Sequence, residues 1–362
     1  MGVEGKTCVV TGGSGFVGSR LVEMLVERGA KSVTSFDISG PPEFFTPSDK
    51  VKHVRGNLTD PQVVEQVCTG ADCVWHVAAL VGPYHPQEAY VKVNYEGTLN
   101  VINACKRQKV PKIVMSSSPS TRFDGSSVRG LAESQLKIQD PGKFLQAYAE
   151  TKAMGEIALR EACCEELMTV AIAPHQVYGP RDSLFLPSLL HAAKTGKLRI
   201  FGKGDNKVAF THVDNYCHAL ILGYDALYPG SAALGQFYIA TDGGSELFWH
   251  VLDQAVVRMG YTPLRNKLKL PTGLMMVAAY ICNLIGYVTG RKMKLTPFAV
   301  RMLVIDRWFN IDAAKKDLGY KPLISFEHGW QETIEWFADN KEWWIAKAEG
   351  KGALALPKSK ES

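Results

Sequence analysis

The sequence has little of what marks a disulfide-bonded, metal-binding or nucleic-acid-binding protein. Its eight cysteines form no C-x-x-C pair and mostly stand in apolar runs. This favours buried free thiols in a reducing compartment over a disulfide framework, and we expect no metal site. The net charge of +5 is small for 362 residues, so we expect no nucleic-acid partner. No secretory signal precedes the first predicted strand.

The composition also excludes a disordered chain, and the scarcity of long uncharged runs excludes a polytopic membrane protein. Hydrophobic residues make up 46% of the chain and charged residues 21%, which is ordinary globular composition. Only one uncharged run, Leu270–Gly290, reaches the length of a membrane span. The chain is therefore a folded protein with at most one segment of this kind.

Short β-branched runs alternate with longer amphipathic stretches over the first 175 residues. This alternation predicts an α/β fold in which a doubly wound, Rossmann-type parallel sheet carries helices on both faces. The runs are apolar almost without interruption, as strands buried on both faces should be. The predicted strands are Thr7–Thr11, Ser32–Phe36, Val51–Arg55, Cys73–Val77, Lys112–Ser116 and Thr169–Ala173.

A glycine-rich turn follows the first predicted strand and opens the first predicted helix. Glycine lets the backbone approach a pyrophosphate closely, and the helix start offers free N–H groups to phosphates. Asp37 stands 19 residues after Gly18, where a carboxylate bonds the adenosine ribose and repels a 2′-phosphate. The pattern predicts NAD rather than NADP as the cofactor. The turn residues expected to bind it are Gly12, Gly15, Phe16, Val17 and Gly18.

A Y-x-x-x-K pair, Tyr148 and Lys152, lies on the helix predicted after the fifth strand. Residues four apart share one face of a helix, so the phenol and the ammonium can meet in one site. A phenol with a pKa of about 10 is a poor base, and we expect the nearby cation to lower that pKa. The serine-rich turn Ser116–Ser120 closes the fifth strand, at the sheet edge where open α/β folds bind ligands.

Together these motifs resemble the extended short-chain dehydrogenase/reductase family. The resemblance rests on the G-x-x-G-x-x-G spacing, the turn Gly56–Asp60, the segment His76–Ala79 and the segment that contains Asn94. Two positions depart from the family pattern. Asn57 replaces a usual acid, and Ala173 replaces the usual arginine before a proline, so the contact made by that arginine is missing or supplied elsewhere.

The resemblance implies roles for the catalytic group. Tyr148 is expected to act as the base, with Lys152 holding its phenolate and bonding the nicotinamide ribose. Ser118 is expected to orient the substrate hydroxyl, with Ser120 as the alternative, and His175 is expected to be a wall or hydrogen-bonding residue rather than a second base. The further implied cofactor contacts are Asn57, Leu58, Ala78, Ala79, Asn94, Lys152, Pro174, His175 and Val177. We expect an NAD-binding domain over residues 1–180, an interleaved substrate-binding part over 181–345 and a flexible tail over 346–362.

Later segments narrow the resemblance to the 3β-hydroxysteroid dehydrogenase family. They are Ala173–Asp182, Gly202–Asn206, Phe210–Asn215 and Glu246–Trp249, and they are most similar to its sterol-4α-carboxylate 3-dehydrogenases. This implies NAD-dependent oxidation of the 3β-hydroxyl of a sterol or steroid. A 4α-carboxysterol would then lose its carboxyl group and give the 3-ketone. The resemblance also allows for a homodimer.

Three other functions stay open from the sequence alone. One is a 3β-hydroxysteroid dehydrogenase/Δ5-isomerase, which needs a further proton shuttle. Another is a sugar-nucleotide epimerase or dehydratase, for which Arg181 and Lys203 could hold a diphosphate. The third is a cofactor-binding scaffold protein, against which the intact Tyr148 and Lys152 pair argues.

The uncharged segment Leu270–Gly290 predicts a contact with a membrane. Its proline and glycines, and the family-like motifs that follow it, favour a helix lying in the interface over a span or a buried core or lid helix. The stretch Arg258–Lys316 holds eleven basic residues and two acidic ones, which suits an anionic leaflet. Lys358–Ser362 resembles a retrieval signal of the endoplasmic reticulum. We therefore expect the cytosolic face of that membrane, with a cytoplasmic protein as the alternative.

Overall fold

The computed structural model describes residues 2–82, 85–290, 293 and 295–350. A helix covers Lys341–Ala348 and extends over the first three residues of the predicted tail 346–362. The rest of that tail from residue 351 onward, including the signal-like Lys358–Ser362, lies outside the described residues.

Strands and helices alternate through the first half of the described chain. The strands are β1 (Thr7–Thr11), β2 (Ser32–Asp37), β3 (Val51–Arg55), β4 (Cys73–His76), β5 (Lys112–Ser116), β6 (Val128–Leu131), β7 (Met168–Pro174), β8 (Val177–Tyr178), β9 (Lys207–Val208), β10 (Thr211–His212), β11 (Phe237–Ala240), β12 (Glu246–Leu247) and β13 (Arg307–Phe309). The helices are α1 (Phe16–Glu27), α2 (Pro61–Cys68), α3 (Gln87–Tyr90), α4 (Gly97–Gln108), α5 (Ala147–Glu161), α6 (Phe185–Lys194), α7 (Val213–Asp225), α8 (Phe248–Arg258), α9 (Thr272–Thr289), α10 (Pro297–Met302), α11 (Asp312–Leu318), α12 (Phe326–Asp339) and α13 (Lys341–Ala348). A π-helical turn covers Val91–Glu96, and 3₁₀ turns cover Pro119–Arg122, Glu133–Gln135 and Leu264–Asn266.

Seven strands of the described chain form one parallel sheet in the order β11-β7-β5-β4-β1-β2-β3. Helix α1 packs beside α7, and α4 packs against both α2 and α5, which gives two helical layers. Every residue of β4 and of β11 is buried, as the apolar runs require. The predicted α/β class and doubly wound parallel sheet are confirmed.

The strand order reverses between β1 and β4. From β1 the chain moves outward to β2 and β3, and from β4 it moves the other way to β5, β7 and β11. Open α/β sheets bind ligands at this point, outside the carboxyl ends of the strands. The glycine turn and the serine turn follow strands β1 and β5, so both lie at this edge.

A smaller part of the molecule is built on the sheet β12-β9-β13-β6 and the strand pair β8 and β10. Its core is a separate aromatic cluster in which Tyr178, Phe210, Phe326 and Trp330 contact one another. Strand β6 comes from the first half of the chain and pairs in parallel with β13. Strand β11 returns to the large sheet, so the chain passes between the two parts more than once.

Helix α9 is apolar and nevertheless lies on the surface. Of its residues, all described, only Ala279 is buried, whereas Leu284 is 63% and Val288 75% exposed. It is the one helix in the described residues long and apolar enough to cross a membrane, by length and composition alone. The core-helix alternative for this segment therefore does not match its exposure.

Candidate active site

The glycine turn is held tightly against the segment that follows β4. Gly12 has φ +73°, and a Cβ atom there would lie 2.8 Å from the backbone of Ala78. Its N–H donates to the carbonyl of Phe36 at 2.8 Å. A Cβ atom at Gly18 would lie 1.9 Å from the Gly12 oxygen. Only glycine fits at these positions, which leaves bare backbone facing the sheet edge.

The start of α1 is prepared for an anion. In the described chain no side chain caps this helix, and its first turn carries no acidic residue. The first N–H groups, from Phe16 onward, therefore remain for phosphate oxygens. The Asp37 carboxylate accepts from the Ser14 N–H at 3.1 Å and the Ser39 N–H at 2.9 Å. Each of its oxygens keeps lone-pair capacity for a ribose hydroxyl, so these residues fit a dinucleotide without a 2′-phosphate.

The turn between β3 and α2 presents one polar side chain. Asn57 is exposed, and its Oδ1 accepts from the Thr59 N–H at 3.0 Å. This leaves its amide N–H groups for an adenine ring. Leu58 is buried, and its carbonyl accepts from the Asn100 side chain at 3.1 Å. Of the two predicted contacts, Asn57 is therefore the accessible side chain.

Asn94 links the segment after β4 to helix α5. It lies in the π-helical turn and is 1% exposed. Its side chain accepts from the Leu80 N–H at 2.7 Å, and it donates to the Leu80 carbonyl at 3.2 Å and to Thr151 on α5 at 3.3 Å. Ala78 and Ala79 precede Leu80 directly. The predicted cofactor residue Asn94 thus acts on this segment by holding it in place.

Lys152 is buried and its ammonium has a specific partner. Its Nζ donates to the Ser116 carbonyl at 2.7 Å. Burial lowers the pKa of Lys152 to about 8, although the Glu156 carboxylate opposes this shift. The ammonium is thus held at the carboxyl end of β5, and it remains mostly charged at neutral pH.

Tyr148 faces the same turn from the first turn of α5. Its phenol is hydrogen-bonded with the Ser118 hydroxyl, and burial raises its pKa to about 12. The Ser118 and Ser120 hydroxyl oxygens are 2.8 Å apart. This differs from the expected lowering of the Tyr148 pKa, because loss of solvent dominates while Lys152 bonds the Ser116 carbonyl. The structure places Tyr148 beside Ser118 and Ser120, and Lys152 lies one helical turn further along α5 with its ammonium on the Ser116 carbonyl.

A buried ion pair fixes the serine turn from behind. Arg122 donates to both carboxylate oxygens of Glu156, at 3.0 and 2.5 Å, and Ser117 donates to Glu156 at 2.6 Å. The Arg122 guanidinium also lies 3.4 Å from the ring centroid of Phe237. Because Arg122 and Glu156 lie in different elements, their pairing holds the serine turn against α5.

His175 follows β7 and is locked in one tautomer. Its Nδ1 lies 2.7 Å from the Ala209 carbonyl, which can only accept, so Nδ1 donates. Its Nε2 therefore accepts from Arg307 at 3.2 Å. Burial and the Arg307 charge lower the pKa of His175 to about 3. His175 is thus placed as a neutral hydrogen-bonding wall residue.

A cavity of about 1050 Å³ opens beside this group. Pro174 and His175 line it from β7 and the turn after it, whereas Val177 packs against the main core instead. Apolar residues of α10 and one side of α9 complete the wall. Lining residues from these two helices are Asn283, Gly286, Tyr287, Phe298, Ala299, Met302.

Fold and site together define an NAD-dependent oxidoreductase of the extended short-chain type. A glycine turn, an acidic residue after β2 and a tyrosine and lysine pair on α5 meet at one sheet edge. The sequence model of the 3-beta hydroxysteroid dehydrogenase/isomerase family matches residues 9–272. The chain belongs to that family.

Three relatives are similar over most of their length. A 3beta-hydroxysteroid-dehydrogenase/decarboxylase of Arabidopsis thaliana is 35% identical, covering 93% of this chain and 80% of that protein. A 2-alkyl-3-oxoalkanoate reductase of Stenotrophomonas maltophilia is 33% identical, covering 89% and 96%. The human sterol-4-alpha-carboxylate 3-dehydrogenase, decarboxylating, is 32% identical, covering 92% and 89%.

Among solved structures, an epimerase of Methanothermobacter thermautotrophicus has a similar fold. The TM-score is 0.71 at 23% identity, covering 94% of this chain and 95% of that chain. A likeness at this level of identity concerns the fold alone.

Proposed function

We propose that this chain oxidises the 3β-hydroxyl of a 4α-carboxysterol and that the product loses its carboxyl group to give the 3-ketone. The observation that carries the proposal is the cavity of about 1050 Å³ with Tyr148 and Ser118 in its wall and apolar side chains opposite them. A cavity of this size and lining suits a rigid, mostly apolar ligand with few polar groups.

The two basic side chains that the sequence offers to a sugar-nucleotide diphosphate, Arg181 and Lys203, are absent from the cavity wall. Arg181 is bound at both guanidinium nitrogens to the Glu23 carboxylate, at 2.8 Å each. Among the described residues, neither Arg181 nor Lys203 lines the cavity, and Arg122 is paired with Glu156. The diphosphate contacts expected of Arg181 and Lys203 in an epimerase or dehydratase are therefore not supported by their positions.

Residues of the chain itself accept the proton that the substrate hydroxyl loses. Bound NAD, held by the glycine turn and Asp37, would supply the acceptor for the hydride that leaves the alcohol carbon. Ser118 orients the substrate hydroxyl, and Tyr148 takes its proton at the phenol oxygen. Because burial raises the pKa of Tyr148 to about 12, a positive charge has to favour the phenolate. Lys152 is the buried cation one helical turn away, so its charge supplies this role.

Decarboxylation then needs no further cofactor. The 3-ketone is β to the carboxylate, so the bond from C4 to the carboxyl carbon breaks and CO₂ leaves. The electron pair of that bond moves toward the ketone oxygen to give an enolate, and a proton added at C4 then gives the ketone. The names of the sterol relatives and of the 2-alkyl-3-oxoalkanoate reductase both describe acids with oxygen on the carbon β to the carboxylate.

We infer that the exposed apolar face of α9 attaches the protein to a membrane surface. One side of α9 lines the substrate cavity while Leu284 and Val288 face outward, so a lipid-soluble substrate would enter beside the helix. Arg265, Lys267 and Lys269 precede α9, which suits an anionic leaflet. A sterol substrate fits the cytosolic face of the endoplasmic reticulum.

The test of the reaction is a substrate panel with the purified full chain. NADH formation is measured with a 4α-carboxysterol, with the matching 3β-hydroxysterol that lacks the carboxylate, and with a UDP-sugar. We expect turnover with the carboxysterol and release of its labelled carboxyl carbon as CO₂. Turnover with the UDP-sugar alone contradicts the proposal, and oxidation without CO₂ release contradicts its second step.

A further inference from the structure

Arg307 differs from Arg122, the other arginine in the cavity wall, because it has no carboxylate partner among the described residues. It begins β13, which lies between β6 and β9 in the smaller sheet, and its side chain lines the cavity with Tyr148 and Ser118. Arg122 and Arg181 each pair with a carboxylate. Arg307 has no such partner among the described residues, and none of their charges stabilises it.

The hydrogen bonds of Arg307 hold its guanidinium in place but use only some of its N–H donors. Nη1 donates to the Nε2 atom of His175 at 3.2 Å, and Nη2 donates to the Met302 carbonyl at 3.0 Å. Nε is buried and has no partner among the described residues. Both contacts of Arg307 are neutral, and a guanidinium carries five N–H donors, so a majority remain unused. The fork is held in place by neutral acceptors and keeps its charge.

A buried guanidinium without a counter-ion is costly unless an anion arrives. Burial lowers the pKa of Arg307 to about 10, so it still carries its charge at neutral pH. The planar fork matches a carboxylate with two parallel N–H···O bonds. An anion can reach Arg307 from within the cavity, because Arg307 is part of the cavity wall.

We propose that Arg307 binds the carboxylate of the substrate and thereby selects β-hydroxy acids over neutral alcohols. This rests on the proposed function for the identity of the alcohol, and it adds the group that distinguishes the acid. The family pattern has an arginine where this chain has Ala173. Arg307 places a basic side chain near Pro174 from a different element.

The test compares the acid with its methyl ester, which has the same ring system, one additional methyl group and no charge. In wild-type protein we expect binding of the carboxysterol to exceed that of its ester about 30- to 100-fold, the range for hydrogen bonds to a charged group. Arg307→Gln should remove this preference by raising KM and the dissociation constant for the acid. Turnover and KM for the ester should change less than about threefold.

Arg129→Gln is the matched control. Arg129 lies on the neighbouring strand β6, is paired with Asp306 at 2.6 Å and is largely exposed, so it removes the same charge outside the cavity. Arg307→Lys keeps the charge without the fork and should retain part of the preference. NAD affinity and the unfolding midpoint, measured for each variant, show whether the protein remains folded.

Binding measured by calorimetry separates this inference from the proposed reaction. If wild-type protein binds the acid in preference to the ester without turning it over, and Arg307→Gln abolishes that preference, the carboxylate site stands and the reaction fails. Equal binding of acid and ester by wild-type protein overturns the role of Arg307. Equal losses for acid and ester in a folded Arg307→Gln variant also overturn it, because they show a structural role.

Discussion

The two ends of the substrate cavity are built on different principles. At the end formed by the sheet edge, the polar side chains have defined partners. Lys152 donates to the Ser116 carbonyl, and Arg122 pairs with Glu156. At the end formed by α9 and α10, the wall is apolar and α9 is exposed along most of its length. We relate this difference to two requirements of the proposed function. The reaction needs atoms held in fixed positions, whereas the entry of a lipid-like molecule needs an apolar surface.

The largest expected effect lies at the sheet edge, in the Tyr148→Phe variant. Without the phenol oxygen the substrate proton has no acceptor, so we expect turnover to fall about 10³-fold. NAD affinity should stay within about twofold, because the ring and its packing remain. Steady-state NADH formation and cofactor titration measure the two effects. A variant that keeps a substantial fraction of wild-type turnover would show that the base lies elsewhere.

The glycine turn tests how rigid that edge is. Gly12→Ala places a Cβ atom 2.8 Å from the Ala78 backbone at a φ of +73°, so we expect a loss of about 2 kcal/mol in unfolding free energy. NAD affinity should fall about tenfold, because the turn must shift. Gly70→Ala is the control, since Gly70 has φ +71° and open space around its Cβ position. Equal losses in the two variants would show that backbone strain alone is responsible.

Acid should destabilise the sheet edge through its buried histidines. Burial lowers the pKa of both His76 and His175 to about 3 from an ordinary 6.5. Between these values the unfolded chain binds protons that the folded chain does not, so stability falls as pH drops below 6.5. We expect a loss of about 1 kcal/mol for each histidine between pH 7 and 5.5. Urea unfolding at the two pH values measures it.

His175→Gln should reduce this pH dependence, whereas His250→Gln on the exposed side of α8 should leave it unchanged. An unchanged slope in the His175 variant would mean that folding does not lower the pKa of this ring.

The smallest effect on the protein itself is expected at the α9 end. Leu284→Glu changes a side chain that is 63% exposed, so unfolding free energy should change by less than about 0.5 kcal/mol. Flotation with vesicles that contain anionic lipid should nevertheless fall several-fold, because a charge enters the lipid-facing side. Leu323→Glu, at a side chain that is 53% exposed before α12, is the control. Equal flotation of both variants would remove α9 from membrane binding.

The sequence predicts the sheet edge well because its chemistry is local. Strand bounds agree to within one residue for β1, β4 and β7, since apolar runs and glycine turns are short-range signals. Tyr148 and Lys152 are four residues apart on one helix, so their shared site also follows from spacing. The partner that holds the Lys152 ammonium is a backbone carbonyl on β5, and no side-chain pattern indicates it.

Other parts of the site depend on contacts between distant segments. Arg307 is a single arginine before an aromatic pair, and it reaches His175 only because β13 pairs with β6 and β9. Arg122 and Glu156 meet across two elements and show no motif. The seventh strand, β11, is also absent from the predicted set, which ends at Ala173 where the regular alternation of strands and helices ends. Helix α9 follows from its apolar run, but its contact with the cavity does not.

The π-helical turn at Val91–Glu96 has a consequence for how this site can change. It lies between α3 and α4 without a break in helix direction, and a π turn holds one residue more than an α turn. Deleting one residue there would give a more regular helix, but it would rotate the Asn94 side chain by about 100° away from Leu80 and Thr151. The longer, better-formed helix would then release the segment that carries Ala78 and Ala79. In this region, a more regular helix would therefore disturb the position of the segment expected to lie along the cofactor.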